Sequence, residues 1–274
     1  MILLLVFIVL LVVLLLYVGQ PKEKFPKIIW SYWDQDEMPD ITKKCIQTWR
    51  NTNPTYDIRV LNRTKLKDYL PDVDIFNLKF ADTPLRISDF IRLNILSKYG
   101  GVWIDATSII PQSLQWSDNY VNYDLIGYYM PSNCTRPEYK VMESWFFICR
   151  PGCEIISKWR DEFMRVNNYS TITDYVKSLQ TEGVDLQNIG DYERVTLYCS
   201  FQRVLQLQMS PEEIGRIYLF STDDHQRHWG GNYKQVLCSD TKLDVPVVKF
   251  THYDREDMGS DYQCVFRHYY TAEK

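Results

Sequence analysis

The sequence lacks the features of several common protein classes. It has no excess of basic residues: 31 Lys and Arg stand against 35 Asp and Glu, for a net charge of −4, which argues against a nucleic-acid partner. No C-x-x-C pair occurs among its seven cysteines, which argues against zinc ribbons and redox motifs, and their odd number predicts mostly buried thiols. G-x-S-x-G, P-loop and H-E-x-x-H motifs are also absent, so serine hydrolases, P-loop NTPases and zincins lack their signature residues.

One long apolar run opens the chain. Residues 2–18 carry no charge and, as a helix, would span about 25 Å, enough for a thin bilayer. Because no basic region precedes the run and no small-residue cleavage site follows it, we predict an uncleaved transmembrane anchor over residues 1–18. The lysines within residues 22–27 favour a cytosolic body and three N-x-S/T tripeptides favour a Golgi-lumenal one, so the side of the membrane stays open.

After a linker at residues 19–24, the remaining residues, 25–274, show a mixture of strand and helix patterns. We predict strands at 27–33, 56–62, 124–129, 144–150 and 245–253. We predict helices at 41–50, with Asp40 as N-cap, and at 64–69, 84–98, 153–168 and 171–180. The alternation in the front half indicates an α/β sheet.

The helix at 84–98 has clear boundaries and an unusual polar face. Thr83 and Pro84 form a helix start, and a glycine pair follows its last turn. At about 100° per residue, Ser88, Asp89 and Arg92 share one side of this helix. For an arbitrary helix such a face is solvated, but here the glycine pair leads directly into "VWID", whose apolar residues on both faces predict a central, covered strand.

Asp105 follows that predicted strand directly. A carboxylate at the C-terminal end of a central strand lies where open α/β sheets bind ligands. Its oxygens suit Mg²⁺ or Mn²⁺, which would neutralise a departing diphosphate. The alternative is structural: Asp105 caps the turn that contains Ser108.

Two stretches, "FPKIIWSYW" and "TPLRISDFIRLNILSKYGGVWIDAT", resemble the sugar-transferring enzymes with a D-x-D motif, most closely their capsular polysaccharide synthesis branch. The resemblance is dense over residues 25–110 and thinner afterwards. It implies a Rossmann-like α/β fold of the GT-A type, a nucleotide-sugar donor, a glycan or glycolipid acceptor and retention of the anomeric configuration.

The resemblance also implies roles for individual residues. By position, Trp33 would stack on the base of the donor, the S-D-x-x-R residues Asp89 and Arg92 would hold ribose and sugar hydroxyls, and Asp105 would bind the metal or the diphosphate. Ser88, the first residue of S-D-x-x-R, and Thr107 belong to the same expected donor site, and the resemblance implies that Asp89, Arg92 and Asp105 are the catalytic residues. Strand alternation directs two further tryptophans into the core, so we rank them below Trp33: Trp30 and Trp103.

The sequence departs from the family pattern at one position. Where the wider family has a second acid, this chain has Thr107, so the need for Mn²⁺ or Mg²⁺ becomes uncertain. His252 in "VKFTHYD" is a candidate compensating metal ligand, although a lone histidine is more often structural.

Two weaker candidate regions lie later in the chain. The stretch 223–231, with a flexible glycine pair, could form an acceptor or diphosphate loop or a surface turn; its candidates are His225, Arg227, His228 and Trp229. Asp191 and Glu193 lie where such enzymes often carry an acidic acceptor-side residue.

Three functions therefore remain for comparison. The first is a membrane-anchored glycosyltransferase with donor residues around Asp105. The second is a catalytically silent glycosyltransferase-like scaffold or glycan-binding protein, which the loss of the second acid at Thr107 motivates. The third is a metal-dependent phosphohydrolase that uses Asp105, for which the sequence offers no second metal cluster.

Overall fold

The fold is built on a six-stranded mixed sheet with a separate two-stranded ribbon. The computed structural model describes residues 22–225, 238, 245–251 and 263–267. The strands are β1 (Ile28–Tyr32), β2 (Asp57–Leu61), β3 (Gly101–Ile104), β4 (Ser108–Ile109), β5 (Leu125–Tyr129), β6 (Met142–Cys149), β7 (Ile217–Ser221) and β8 (Val248–Lys249). The large sheet has the order β2-β1-β3-β6-β5-β7, and β4 pairs with β8. The fold class is therefore α/β, as the alternating pattern predicts.

Helices connect most of these strands. The longer ones are α1 (Asp40–Thr52), α2 (Arg63–Tyr69), α3 (Pro84–Tyr99), α4 (Glu154–Met164), α5 (Ile172–Thr181) and α6 (Thr196–Arg203). Four-residue helices follow at α7 (Pro211–Ile214), α8 (Thr222–His225) and α9 (Gln263–Phe266). Short 3₁₀ turns lie at Ile75–Asn77, Leu114–Tyr120, Pro131–Asn133 and Arg165–Asn168, and a π-helical stretch lies at Val204–Gln208.

The order of the strands reverses beside β1, which is the place where open α/β sheets commonly have a ligand-binding crevice. Strand β1 pairs in parallel with β2 on one side and with β3 on the other. The chain thus leaves β1 in one direction, then crosses back to form β3 on the opposite side. Such a reversal opens a crevice at the carboxyl ends of the two strands, where α/β sheets commonly bind ligands. Trp33 directly follows β1 and Asp105 directly follows β3, so both lie at this edge.

Helix α3 is buried around most of its surface, unlike a typical amphipathic surface helix. Its apolar residues pack into the main core together with those of α4, where the Phe90 and Phe163 ring centroids lie 4.6 Å apart. Asp89 and Arg92 are buried as well, at 3% and 1% exposure. The polar face of α3 is therefore not solvated, and its charges must find partners inside the protein.

The glycine pair after α3 lies at a close approach between two backbone segments. Gly100 ends the helix at φ +59° and accepts a 2.9 Å hydrogen bond from the indole of Trp30 through its carbonyl oxygen. A Cβ at Gly100 would lie 2.4 Å from the backbone nitrogen of Pro151. Gly100 is therefore the single residue between the end of α3 at Tyr99 and the start of β3 at Gly101.

The structure corrects two sequence-based boundaries. Asp40 does not cap α1 but is its first helical residue; Pro39 is at the N-cap position and makes no side-chain capping bond. Of the predicted strand at 245–253, the described residues 245–251 form a strand at Val248–Lys249, which pairs with the equally short β4. Helix α6 and strand β7 have no counterpart in the sequence-based prediction.

The cysteines agree with the predicted thiols except at one pair. Cys238 and Cys264 form a disulfide, and the other five cysteines form none. Four of these five are buried, namely Cys45, Cys149, Cys153 and Cys199.

The anchor predicted at residues 2–18 lies outside the described residues. Within the part of the chain that the structure describes, no helix has the length and apolar character needed to cross a membrane.

We expect Gly100→Ala to destabilise the fold more than Gly152→Ala does. Both glycines have a positive φ, where a side chain costs about 1–2 kcal/mol, but Gly152 has open space around its missing Cβ. At Gly100 the backbone near Pro151 must also move, which adds about 1–3 kcal/mol. Urea unfolding of the two variants measures the difference; equal losses would show that Gly100 is selected by φ alone.

Candidate functional site

Asp105 is held at the edge of the sheet by backbone pairing. Its N–H donates a 2.9 Å hydrogen bond to the carbonyl oxygen of Trp145 on β6, which extends the antiparallel β3–β6 pairing by one residue. The side chain remains 22% exposed at the carboxyl end of β3. A carboxylate in this place is fixed by the sheet yet partly accessible to solvent.

Three donors converge on the carboxylate of Asp105. Lys249 Nζ lies 2.6 Å from Oδ2, while Trp103 Nε1 and Arg92 Nη2 lie 3.2 and 3.4 Å from Oδ1. Burial alone would raise the pKa of Asp105, but the charge of Lys249, and then that of Arg92, holds this pKa below its usual value. Asp105 is therefore ionised at neutral pH.

Arg92 is fixed by contacts on every side of its guanidinium group. Nε donates to the backbone oxygen of Ser88 at 3.3 Å, and Nη2 donates to Ser88 Oγ at 3.0 Å. Nη1 donates to the backbone oxygen of Ser144 on β6, and the group lies 5.2 Å from the ring centroid of Trp103. These contacts tie α3 to β3 and β6 and hold the positive charge beside Asp105.

Asp89 is the second carboxylate of the cluster, and its environment differs from that of Asp105. Its Oδ1 lies 3.3 Å from Arg92 Nη2 but accepts no hydrogen bond from the residues that the structure describes, and the side chain is only 4% exposed. Burial raises the pKa of Asp89 to about 7, against the lowering effect of Arg92 and with a further rise from the nearby charge of Asp105. Burial thus favours the neutral, protonated form of this carboxyl group.

Lys249 reaches the site through the β4–β8 ribbon. Ser108 and Lys249 are opposite each other in the antiparallel register, and Phe250 N–H donates to the Thr107 carbonyl oxygen at 2.9 Å. Thr107 Oγ1 donates to the Phe250 carbonyl oxygen at 3.2 Å and accepts from Lys249 Nζ at 3.3 Å. The ribbon thus brings residues some 140 positions apart in sequence to the end of β3.

Glu143 extends the polar cluster along β6. It is buried at 6% exposure, and its Oε2 accepts a 2.7 Å hydrogen bond from the hydroxyl of Tyr198 on α6. Burial, and then the charge of Glu143, raises the pKa of Tyr198 well above its usual value, and the charge of Asp89 contributes in the same direction. Tyr198 therefore stays neutral and acts here as a hydrogen-bond donor.

The sequence profile of capsular polysaccharide synthesis proteins matches residues 17–180, more than half of the chain. The chain belongs to the capsular polysaccharide synthesis protein family. The matched region contains α3, β3 and Asp105, so the Asp89–Arg92–Asp105 cluster lies within the part of the chain that the profile covers. Lys249 lies beyond it.

About half of the chain is similar in sequence to named proteins. Over 160 residues it is 26% identical to the O-glycosyltransferase braB of Annulohypoxylon truncatum, covering 51% of this chain and 37% of that protein. Over 167 residues it is 28% identical to the O-glycosyltransferase PaGT of Phomopsis amygdali, with coverages of 51% and 38%. The chain thus spans less than two fifths of the length of these curated relatives. Among solved structures, the glycosyltransferase GlyE of Streptococcus pneumoniae TIGR4 aligns at a TM-score of 0.43 and 12% identity, over 84% of this chain and 56% of that one.

Most of the sequence-predicted donor residues of this family member lie together. One cluster contains Ser88, Asp89, Arg92, Asp105 and Thr107. Trp33 lies apart from them in the described contacts: it is half-buried after β1, and its indole N–H donates to the Glu37 carbonyl oxygen at 3.2 Å. Its contact with a base stays a prediction.

Trp30 and Trp103 are both fully buried, in agreement with their lower rank. Trp103 nevertheless contributes to the site, because its indole N–H and its ring face contact Asp105 and Arg92.

The later candidates are mostly exposed or outside the described residues. Asp191 and Glu193 lie in an exposed loop, where Glu193 is 4.0 Å from Arg86. His225 ends the short helix α8. Four further candidates lie outside the described residues: Arg227, His228, Trp229 and His252.

The described residues fit a divalent metal poorly. Asp105 provides a carboxylate that is already paired with Lys249 and Arg92, and Thr107 provides a neutral hydroxyl. Within the described ranges, no three His, Cys, Asp or Glu side chains group closely enough to hold a metal ion. Because Mg²⁺ and Mn²⁺ favour several oxygen ligands with negative charge, this donor set is unsuited to them. A metal site that includes His252 stays a prediction.

Two residues of the site were not identified from the sequence. Lys249 is the charged residue within the apolar run "VPVVKF", and Glu143 is the charged residue within "VMESWFF". A lone charge in an otherwise apolar strand is the signal that could have identified both, since burying it requires a partner.

We expect Asp89 to make stability depend on pH in a specific direction. Its pKa in the folded state, about 7, is above the ordinary value of 3.8, so the folded protein retains a proton that the unfolded chain releases. The stability from this group is complete below pH 4 and is lost as pH rises through 7. Urea unfolding of the wild type and of Asp89→Asn should therefore give curves that converge or cross over this window. Parallel curves would contradict the assignment.

Proposed function

We propose that the chain is a glycosyltransferase that binds a nucleotide-diphosphate sugar in the crevice between β1 and β3 and transfers the sugar to a glycan or glycolipid acceptor. The observation that carries this proposal is the Asp89–Arg92–Asp105 cluster at the carboxyl ends of parallel strands, within a family of polysaccharide synthesis proteins. The names of the relatives, both O-glycosyltransferases, support the same activity.

The proposed fold is of the GT-A type. It is supported by the mixed sheet and by the reversal of strand order beside β1. Because β1 and β3 are parallel neighbours, the loops that follow them lie at the same edge of the sheet. In this arrangement the base of the donor would lie against Trp33, after β1, and its diphosphate would lie beside Asp105, after β3. An indole ring suits the flat face of a base.

The two carboxyl groups suit different parts of the donor. Asp89, with a pKa near 7 and an Oδ1 that has no hydrogen-bond partner among the described residues, can both donate to and accept from a hydroxyl group of a ribose or a sugar, but at 4% exposure it must become more accessible when the donor binds. Asp105, which stays ionised, holds the cationic groups that face the crevice. Arg92 is too enclosed, at 1% exposure, to follow a ligand, so its role is to orient Asp89 and Asp105.

The proposed reaction is a transfer with retention at the anomeric carbon. The bond between this carbon and the diphosphate oxygen breaks, and its electron pair remains on the diphosphate. The acceptor hydroxyl oxygen then bonds to the same face of the sugar, and its proton passes to the departing phosphate oxygen. Positive charge at the departing diphosphate stabilises the transition state electrostatically.

A specific observation supports one alternative. Thr107 stands where the wider family carries a second acid, and Asp105 is occupied by ion pairs, as in a protein that has kept the fold as a scaffold. A scaffold would bind glycan or donor without turnover. Measurement of donor hydrolysis and transfer distinguishes the two.

The functional test compares Asp105→Asn with Asp118→Asn on the full chain. Asp118 is a matched control because it has similar exposure, 24%, and a lysine partner at 2.6 Å, but it lies before β5 near Lys24, at the opposite edge of the sheet. With a panel of nucleotide sugars, we expect Asp105→Asn to reduce donor hydrolysis by about 100-fold and Asp118→Asn to leave it unchanged.

Two other results would decide against this role. Equal activity of both variants would remove Asp105 from the donor site. Binding of a donor without hydrolysis or transfer to any acceptor tested would favour the scaffold.

A further inference from the structure

We propose that the ammonium group of Lys249 supplies the positive charge at the diphosphate, in the place where a divalent metal would otherwise be needed. This inference rests on the proposed donor site around Asp105. It assigns a catalytic role to a residue outside the part of the chain that the family profile matches.

The first support is the position of Lys249. Its Nζ lies 2.6 Å from Asp105 Oδ2 and 3.3 Å from Thr107 Oγ1, so the ammonium bridges two side chains that flank Ala106 in sequence. The side-chain oxygens of Asp105 and Thr107 both contact Lys249 Nζ at the end of β3. The chain itself therefore supplies a cation at this position.

The second support is electrostatic. A divalent ion at Asp105 would lie within a few ångströms of both Lys249 and Arg92, whose charges would repel it. Thr107 adds no negative charge to offset this repulsion. A monocation balances a single carboxylate, so the pair Asp105–Lys249 is neutral by itself and needs no further ion.

The third support is accessibility. The Lys249 side chain is 17% exposed, whereas Arg92 is 1% exposed. An ammonium also rotates about a flexible stem and has no fixed donor plane. Lys249 can therefore turn toward a bound phosphate, while its ion pair with Asp105 keeps the Lys249 ammonium group near the end of β3.

The role of Lys249 in the reaction is electrostatic. As the bond from the anomeric carbon to the diphosphate oxygen breaks, the electron pair remains on the diphosphate, and Lys249 donates a hydrogen bond to a phosphate oxygen there. Lys249 stays protonated throughout, and the proton gained by the phosphate comes from the acceptor hydroxyl. Asp105 acts as a positioning residue for the ammonium.

The test measures binding of UDP and GDP to the full chain by calorimetry, in excess EDTA and with saturating Mn²⁺. Thermal unfolding establishes that each variant is folded. We expect the wild type to bind one of the two diphosphates with the same Kd in both conditions. Lys249→Gln should weaken binding in EDTA by about 10- to 100-fold, and Lys249→Arg should restore most of it.

Lys24→Gln is the matched control. Lys24 also lies 2.6 Å from a carboxylate, that of Asp118, but before β1 at the opposite edge of the sheet. The Lys24→Gln substitution should leave the binding of UDP and GDP unchanged. A second measurement titrates Mn²⁺ into the wild type and into Asp105→Asn without nucleotide, and follows Mn²⁺ binding by electron paramagnetic resonance. We expect Asp105→Asn to remove no Mn²⁺ site that the wild type has.

The remaining outcomes separate this inference from the proposed function. If a diphosphate binds only with Mn²⁺, and Asp105→Asn abolishes both that binding and a Mn²⁺ site, the donor site stands and the role of Lys249 is overturned. If neither diphosphate binds in EDTA or in Mn²⁺, the proposed function fails and the inference fails with it.

Discussion

The buried guanidinium group of Arg92 is the constraint on which the rest of the site depends. An unpaired cation inside a protein is costly, and a buried ion pair that loses one partner is destabilised by about 3–5 kcal/mol. Four groups of the surrounding structure contact the guanidinium group. They are Asp89 and Ser88 on α3, Asp105 after β3 and the Ser144 carbonyl oxygen on β6. The same contacts that stabilise Arg92 therefore align one helix with two strands.

Asp89 and Asp105 illustrate how one cation supports two carboxyl groups in different states. Asp89 is nearly enclosed, so burial dominates and raises its pKa to about 7. Asp105 is partly exposed and gains Lys249 as a second cation, so its pKa is lowered. One group can exchange a proton near neutral pH while the other keeps its charge. Under the proposed function, the first property lets Asp89 both donate to and accept from a hydroxyl group, and the second keeps Lys249 beside Asp105.

Local signals in the sequence were sufficient for part of this arrangement. Thr83, Pro84 and the glycine pair predict α3 to within one residue, and the apolar "VWI" before Asp105 predicts a covered strand, because these signals act over a few residues. Lys249 could not be placed in the same way. Its contact with Asp105 depends on pairing between two-residue strands far apart in sequence, which leaves only a lone charge in an apolar run. The capping role predicted for Asp40 was wrong because Pro39 already supplies the extended backbone before the helix.

The most direct test of the account is a crystal structure of the chain with a bound nucleoside diphosphate. The account predicts phosphate oxygens within hydrogen-bond distance of Lys249 Nζ, at the carboxyl ends of β1 and β3, with Lys249 still beside Asp105. A diphosphate bound elsewhere would contradict the proposed donor site. A metal ion between Asp105 and the phosphates, with Lys249 displaced, would contradict the role of its ammonium group.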